Sequence, residues 1–196
     1  GPSEVMIIAD STADPRFIAA DMLSQIEHGS GYEQAVLVTD DEKLIASVED
    51  EIGRQRAHLV RGEAVDKCME QGVFAIRVPD MTAAAEVCNR YAPEHLEIQC
   101  EEATDVASDI TAAGAVFIGK WTPEPVGDFV GGPSHVLPTG GAAKYFNGLS
   151  VVDFFRRSSV LQYEKEALER EHEVIETIAA TEGLDAHKRS AAIRFE

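Results

Sequence analysis

Short, almost uninterrupted apolar runs recur along the first part of the chain, each followed by a stretch with helical spacing. They are VMIIA (5–9), QAVLVT (34–39), GVFAIRVP (72–79), HLEIQC (95–100) and AGAVFIG (113–119). A strand buried on both faces reads as a continuous apolar run. Its alternation with helices dictates a mostly parallel sheet with helices on both faces. The fold class is therefore α/β. Between the runs, DPRFIAADMLSQIEH (14–28) opens on Asp-Pro and closes before Gly29, a natural helix with start and stop. A charged helix is predicted from Asp41 to Val60, with a further helical piece after Gly62, and others over 81–92 and 103–110.

Pro93 drives Ala92 out of the helical region, so the helix over 81–92 ends there and Glu94 and His95 fall at the mouth of the fourth strand. Adjacent strand residues point to opposite faces, but a corner at this point lets both reach one cleft. Residues 120–149 then break the rhythm with a proline- and glycine-rich segment too long for an ordinary connection, which marks a functional loop. From Ser150 onward the spacing is helical. The predicted organisation is an α/β domain over 1–149, including the loop 120–149, and a small C-terminal helical domain over 150–196.

With 35 acidic against 17 basic residues, the formal net charge is -18. That excludes a nucleic-acid backbone or an anionic membrane surface as a natural partner. Cys68, Cys88 and Cys100 form no CxxC spacing and an odd set, which fits neither a disulfide framework nor a cysteine zinc site and points to a reducing, cytoplasmic setting. No apolar run has the length of a membrane span, and no targeting signal is visible. A strand-like run begins almost at the first residue, as in a processed chain or a piece of a longer one.

Several groups of side chains are able to carry chemistry. Gln25 and His28 lie three apart on one helix face, at a helix C-terminus that attracts cations; taken alone, the segment reads first as a solvated helix end capped by Gly29. Asp128 and His135 share the glycine-rich loop, where an aspartate is also a common turn residue. Glu182 and His187 flank a turn whose structural reading is a stop at Gly183 and a cap at Asp185. Glu94 and His95 pair a carboxylate with the commonest general base near neutral pH. His58 and His172 sit in highly charged helical sequence and read as solvated. The GG of PTGGAAK lacks the spacing of a nucleotide-binding loop. Read singly, these groups allow a metal enzyme without naming one.

Together the segments GPSEV, AADMLSQIEHG, YAPEHLEI, AGAVFIG, PVGDFVGGPSHVLPTGGAAKYFNGLSV and EGLDAH resemble, in order and over nearly the whole chain, the later part of the histidinol dehydrogenase family. Those enzymes are zinc- and NAD-dependent and end histidine biosynthesis, oxidising L-histidinol to L-histidine through the aldehyde. The resemblance implies an incomplete Rossmann-like sheet. It implies one Zn2+ held by Gln25, His28, Asp128 and His187, with Glu94 and His95 catalytic. It further implies substrate contacts from Ser3, His135 and Glu182 alongside Gln25, His28, His95, Asp128 and His187. Family members are homodimers, so His187 is expected to come from the partner's tail.

The stretch GSGYEQAVLVT after His28 is slightly longer than usual. The family's NAD-contacting positions lie upstream of GPSEV. The expectation is a C-terminal fragment that is inactive by itself. The alternatives are a related zinc-dependent polyol dehydrogenase, for example one acting on a sulfopropanediol, and a non-catalytic truncated zinc-binding homologue.

Overall fold

The computed structural model describes residues 1–196, which form two compact units, Gly1–Phe154 and Phe155–Glu196. The first unit is built on five parallel strands: β1 (Glu4–Ala9), β2 (Gln34–Thr39), β3 (Val73–Arg77), β4 (His95–Gln99) and β5 (Ala115–Ile118). Their order across the sheet is β3-β2-β1-β4-β5. The chain thus winds outward from β1 in one direction, then returns to lay β4 against β1's other edge. This is the doubly wound arrangement of short apolar strands joined by helical crossovers.

Alternation along the strands sorts the core into two layers. Val5 and Ile7 of β1 pack with Ile18, Met22 and Ile26 of α1 (Pro15–Ile26), together with α2 (Glu42–Arg56) and α3 (Gly62–Met69). Met6 and Ile8 face the other way, joining Leu96 and Ile98 of β4 beneath α4 (Met81–Tyr91) and α5 (Ala103–Ser108). Each such fully buried side chain contributes about 1.5–3 kcal/mol relative to exposure. Helices cover both faces at the sheet's centre. The edge strands are less covered: Phe74 and Ile76 of β3 and Val116 and Ile118 of β5 stay partly exposed on the α4 side.

Helix limits follow the local chemistry. Asp14, Asp41 and Asp80 cap α1, α2 and α4 by accepting the N–H of Arg16, Lys43 and Ala83. The second helix stops at Arg56, short of Val60, and the helical piece after Gly62 is separate. At the end of α4, Ala92 takes the left-handed conformation (φ 60), the one non-glycine residue with positive φ. The proline that follows bars it from continuing the helix, and the left-handed turn delivers the next two residues to the start of β4.

In the second unit, α7 (Lys165–Thr181) and α8 (Asp185–Ala192) pack on each other. The segment from Ser150 is not helical as the spacing predicts. Val151–Phe154, at the end of the first unit, form a single 3-10 turn, and helix begins only at Lys165. Phe154, Phe155, Val160 and Leu161 remain exposed, so no buried face favours a helix there. No helix is long and apolar enough to cross a membrane.

Candidate functional site

Doubly wound sheets usually hold ligands at the carboxyl ends of their strands, where the winding reverses. Here that point lies between β1 and β4, and it does not suit a dinucleotide. Asp14 occupies the amino end of α1 with its own carboxylate on the Arg16 N–H at 2.9 Å, and Asp10 holds the Thr12 and Glu101 N–H groups nearby. A pyrophosphate would meet negative charge where it needs free N–H groups.

The chemistry gathers at the opposite, amino end of the same two strands. His95 begins β4 and Glu94 immediately precedes it; both are buried. Their backbone is fixed from the start of β5, where the N–H groups of Gly114, just before the strand, and Ala115 donate to the carbonyls of Pro93 and Glu94 at 2.9 Å each. A side chain on Gly114 would place Cβ 2.5 Å from the Glu94 carbonyl oxygen, so only glycine fits. Helix α1 runs back along the sheet and brings Gln25, also buried, to the same end.

The His95 ring is held by its Nδ1, which lies 3.1 Å from the Glu4 carbonyl oxygen and 3.0 Å from Gln25 Oε1. A carbonyl only accepts, so Nδ1 carries the proton and Nε2 is left as a free base. Glu94 Oε2 lies 3.6 Å from Nδ1, and Glu124 Oε1 lies 3.7 Å from Nε2. Burial pushes the His95 imidazole below its ordinary value, which keeps Nε2 unprotonated, and nearby His28 adds to that. Burial, with the neighbouring charges of Glu4 and Asp128, pushes the Glu94 carboxyl up to about 7. Glu124 is likewise pushed up to about 7, by burial first and then by Asp128.

His95, Glu124 and Asp128 offer ligand atoms that all lie within 4.8 Å of one another. No lysine or arginine pairs with Glu94, Glu124 or Asp128. One histidine and two carboxyls with no cationic side chain form a group that could hold a divalent metal. Asp128 is exposed and lines a cleft of about 410 Å3 with His95, Phe117 and the exposed His135. His28 is exposed beyond the end of α1, and Ser3 is half-buried just before β1. Gln25, His28, Glu94, His95, Asp128 and His135 therefore share one end of the first unit. Glu182, at the end of α7, and His187, in α8, are exposed residues of the second unit.

Four residues of this neighbourhood escape motif reading: Glu4, Asp21, Glu97 and Glu124. A signal existed for Glu97. In HLEIQ, His95, Glu97 and Gln99 alternate with Leu96 and Ile98, which places a polar stripe on a face that a doubly covered sheet must bury.

The fold and site define a doubly wound α/β protein with an acid–base cleft suited to a metal ion. The family model of histidinol dehydrogenase matches residues 1–195. The chain belongs to the histidinol dehydrogenase family. It is 46% identical over 196 residues to the histidinol dehydrogenase of Heliobacterium mobile and 44% to that of Lactococcus lactis. The crystal structure of histidinol dehydrogenase from Elizabethkingia anophelis superimposes with a TM-score of 0.93 at 35% identity. The chain is covered completely in each case but spans only 46%, 45% and 45% of those proteins, just under half their length.

Proposed function

We propose that this chain forms the substrate- and zinc-holding half of an enzyme that oxidises L-histidinol to L-histidine through the aldehyde. The observation that carries the reading is His95, whose Nδ1–H is fixed on the Glu4 carbonyl at 3.1 Å so that Nε2 is a preset base beside the cleft. In each oxidation a proton must leave the reacting oxygen as hydride leaves carbon, and His95 Nε2 takes it. Between the two oxidations water adds to the aldehyde. Glu94, whose carboxyl sits at about 7, takes the proton of that water.

Gln25, His28 and Asp128, with His187 from the second unit of a partner copy in a homodimer, would hold zinc, with His187 and Glu182 also reaching substrate. Bound there, zinc supplies positive charge that fixes the imidazole and amino groups of histidinol, a template role. Ser3 and His135 complete the substrate contacts. The family's hydride acceptor is NAD. The residues at the strand reversal of this sheet do not fit it, and its contacts are assigned to sequence outside these 196 residues. The chain's own residues perform the proton half of the chemistry, in a cytoplasmic setting.

Calorimetric titration of L-histidinol into the purified chain, with zinc and then with a chelator, tests the reading. Zinc-dependent binding is the expected result. Equal binding of a sulfopropanediol, or no binding of histidinol in either condition, would overturn it.

A further inference from the structure

One group of buried carboxyls takes no part in the chemistry above. Glu97 lies mid-strand in β4, paired with Ile7 of β1 on one side and Phe117 of β5 on the other, and is 1% exposed. An apolar residue there would bury its side chain favourably, and a glutamate forgoes that. Its Oε1 accepts the Glu124 N–H at 2.8 Å. Its Oε2 accepts from Gln99 Nε2 at 2.8 Å, and the same nitrogen donates to Asp21 Oδ2 of α1 at 2.8 Å. Two carboxyls thus converge on one amide, and no lysine or arginine pairs with either. Gln99 Oε1 has no partner at all, a cost to stability of about 1–3 kcal/mol.

The spacing gives the cluster a purpose. Asp21 lies one helical turn before Gln25 on α1, and Glu124 lies one turn before Asp128 at the start of α6 (Pro125–Phe129). Glu97 lines no part of the cleft that holds His95 and Asp128. We propose that Glu97 and Asp21, tied through the Gln99 amide and the Glu124 N–H, act as a positioning pair, holding the α1 and α6 segments at the separation their metal and substrate ligands require. The inference rests on the zinc reading of Gln25, His28 and Asp128. Burial and the Asp21 charge hold Glu97 well above the ordinary carboxylate range, and burial raises Asp21.

The test compares Glu97→Gln, which keeps an acceptor for the Glu124 N–H, with Glu97→Leu, which breaks the tie. Asp21→Ala breaks it from the half-buried side of α1 and serves if Glu97→Leu does not fold. Zinc affinity is read by competition with a chromophoric chelator, and hydrogen exchange is read at amides 124–128. Expected for Glu97→Leu and Asp21→Ala is zinc binding weaker by roughly 10–100-fold, as for other residues that support metal ligands, with faster exchange at 124–128. Glu97→Gln should stay within about threefold of the parent in both readouts. Parent-like zinc affinity and exchange in Glu97→Leu or Asp21→Ala would overturn the proposal, as would a Glu97→Gln defect equal to that of Glu97→Leu. If the parent chain binds no zinc, the zinc reading fails by itself, and the exchange rates still decide whether the pair positions α6.

Discussion

Glu4 and Glu94 are tied reciprocally: the Glu4 N–H donates to Glu94 Oε2 at 3.0 Å, and the Glu94 N–H donates back to Glu4 Oε2 at 3.3 Å. The second oxygen of Glu4 accepts the Gly140 N–H at 2.9 Å, so one carboxylate joins the start of β1, the Glu94 corner and the glycine-rich loop. Glu4→Ala leaves the buried Glu94 N–H without an acceptor while water can take over the exposed Gly140 N–H, and should lower stability by about 1–3 kcal/mol. Glu4→Gln keeps one acceptor and should lose about half as much. Urea denaturation measures both. An unchanged midpoint in Glu4→Ala would mean that water replaces the carboxylate.

The raised carboxyl of Glu94 makes a statement about stability against pH. Its folded value of about 7 exceeds the ordinary 4.5, so between those values the folded chain binds more protons than the unfolded one. Stability must then fall as pH rises through that window. Lowered His95 works in the opposite sense, but only below its ordinary 6.5. Above that point the carboxyls act unopposed, and Glu94 alone should cost about 1 kcal/mol between pH 6.5 and 8 in metal-free protein. Glu124 adds in the same direction. Thermal melts in chelator across this range should show the decline, and Glu94→Gln should flatten part of it. Identical slopes in parent and variant would assign the effect elsewhere.

The sheet was legible because burial on both faces forces apolar runs, as in VMIIA and QAVLVT, whatever their neighbours do. The corner at Glu94 was legible through Pro93, whose ring restricts Ala92 locally. What the sequence hid depends on distant partners. Glu4 meets Glu94 ninety residues away and Gly140 even further on, and no spacing rule spans such gaps. For Glu97 the polar stripe in HLEIQ was visible but not decisive, since period-two alternation also describes a half-solvated edge. Only its burial between α1 and the sheet shows that the stripe lies inside. Residues 150–164 misled in the other direction. Their apolar spacing suits a helix, yet with no surface to bury against they form only one short turn.

Gly114 is held to its identity by distance rather than by backbone angle. A methyl group there would sit 2.5 Å from the Glu94 carbonyl oxygen, which is itself bonded to the Ala115 N–H at 2.9 Å. Relief requires β5 to move away from β4, and overpacking of this kind costs about 1–3 kcal/mol. Gly114→Ala should therefore lower the thermal midpoint and also weaken histidinol binding, because the displaced atoms carry Glu94. Alanine at position 53, where open space surrounds the glycine within α2, is the control and should be neutral or slightly stabilising.

Metal binding should register as stability, because zinc bound only by the folded chain shifts the folding equilibrium. At a hundred times Kd the gain is about 2.7 kcal/mol, and a chelator should remove it. Asp128→Asn and Gln25→Ala should each abolish most of the zinc-induced rise in Tm. Cys100→Ser, away from the cleft, should keep it. A rise that survives Gln25→Ala but vanishes in Glu124→Gln would move the metal to the His95–Glu124–Asp128 group and away from Gln25 and His28.

His95 separates binding from chemistry. Its Nδ1 makes the structural contacts with Glu4 and Gln25, while Nε2 is the proposed base. In the assembled dehydrogenase, His95→Asn removes the base and should lower kcat by about 10²–10⁴-fold, the usual contribution of a positioned proton acceptor. The asparagine amide can still donate toward the Glu4 carbonyl, so the β1–β4 corner should persist and KM for histidinol should change only a few-fold. Loss confined to kcat is the signature of an interaction made in the transition state. A variant that instead raised KM with kcat unchanged would show that His95 holds substrate and that the proton leaves by another route.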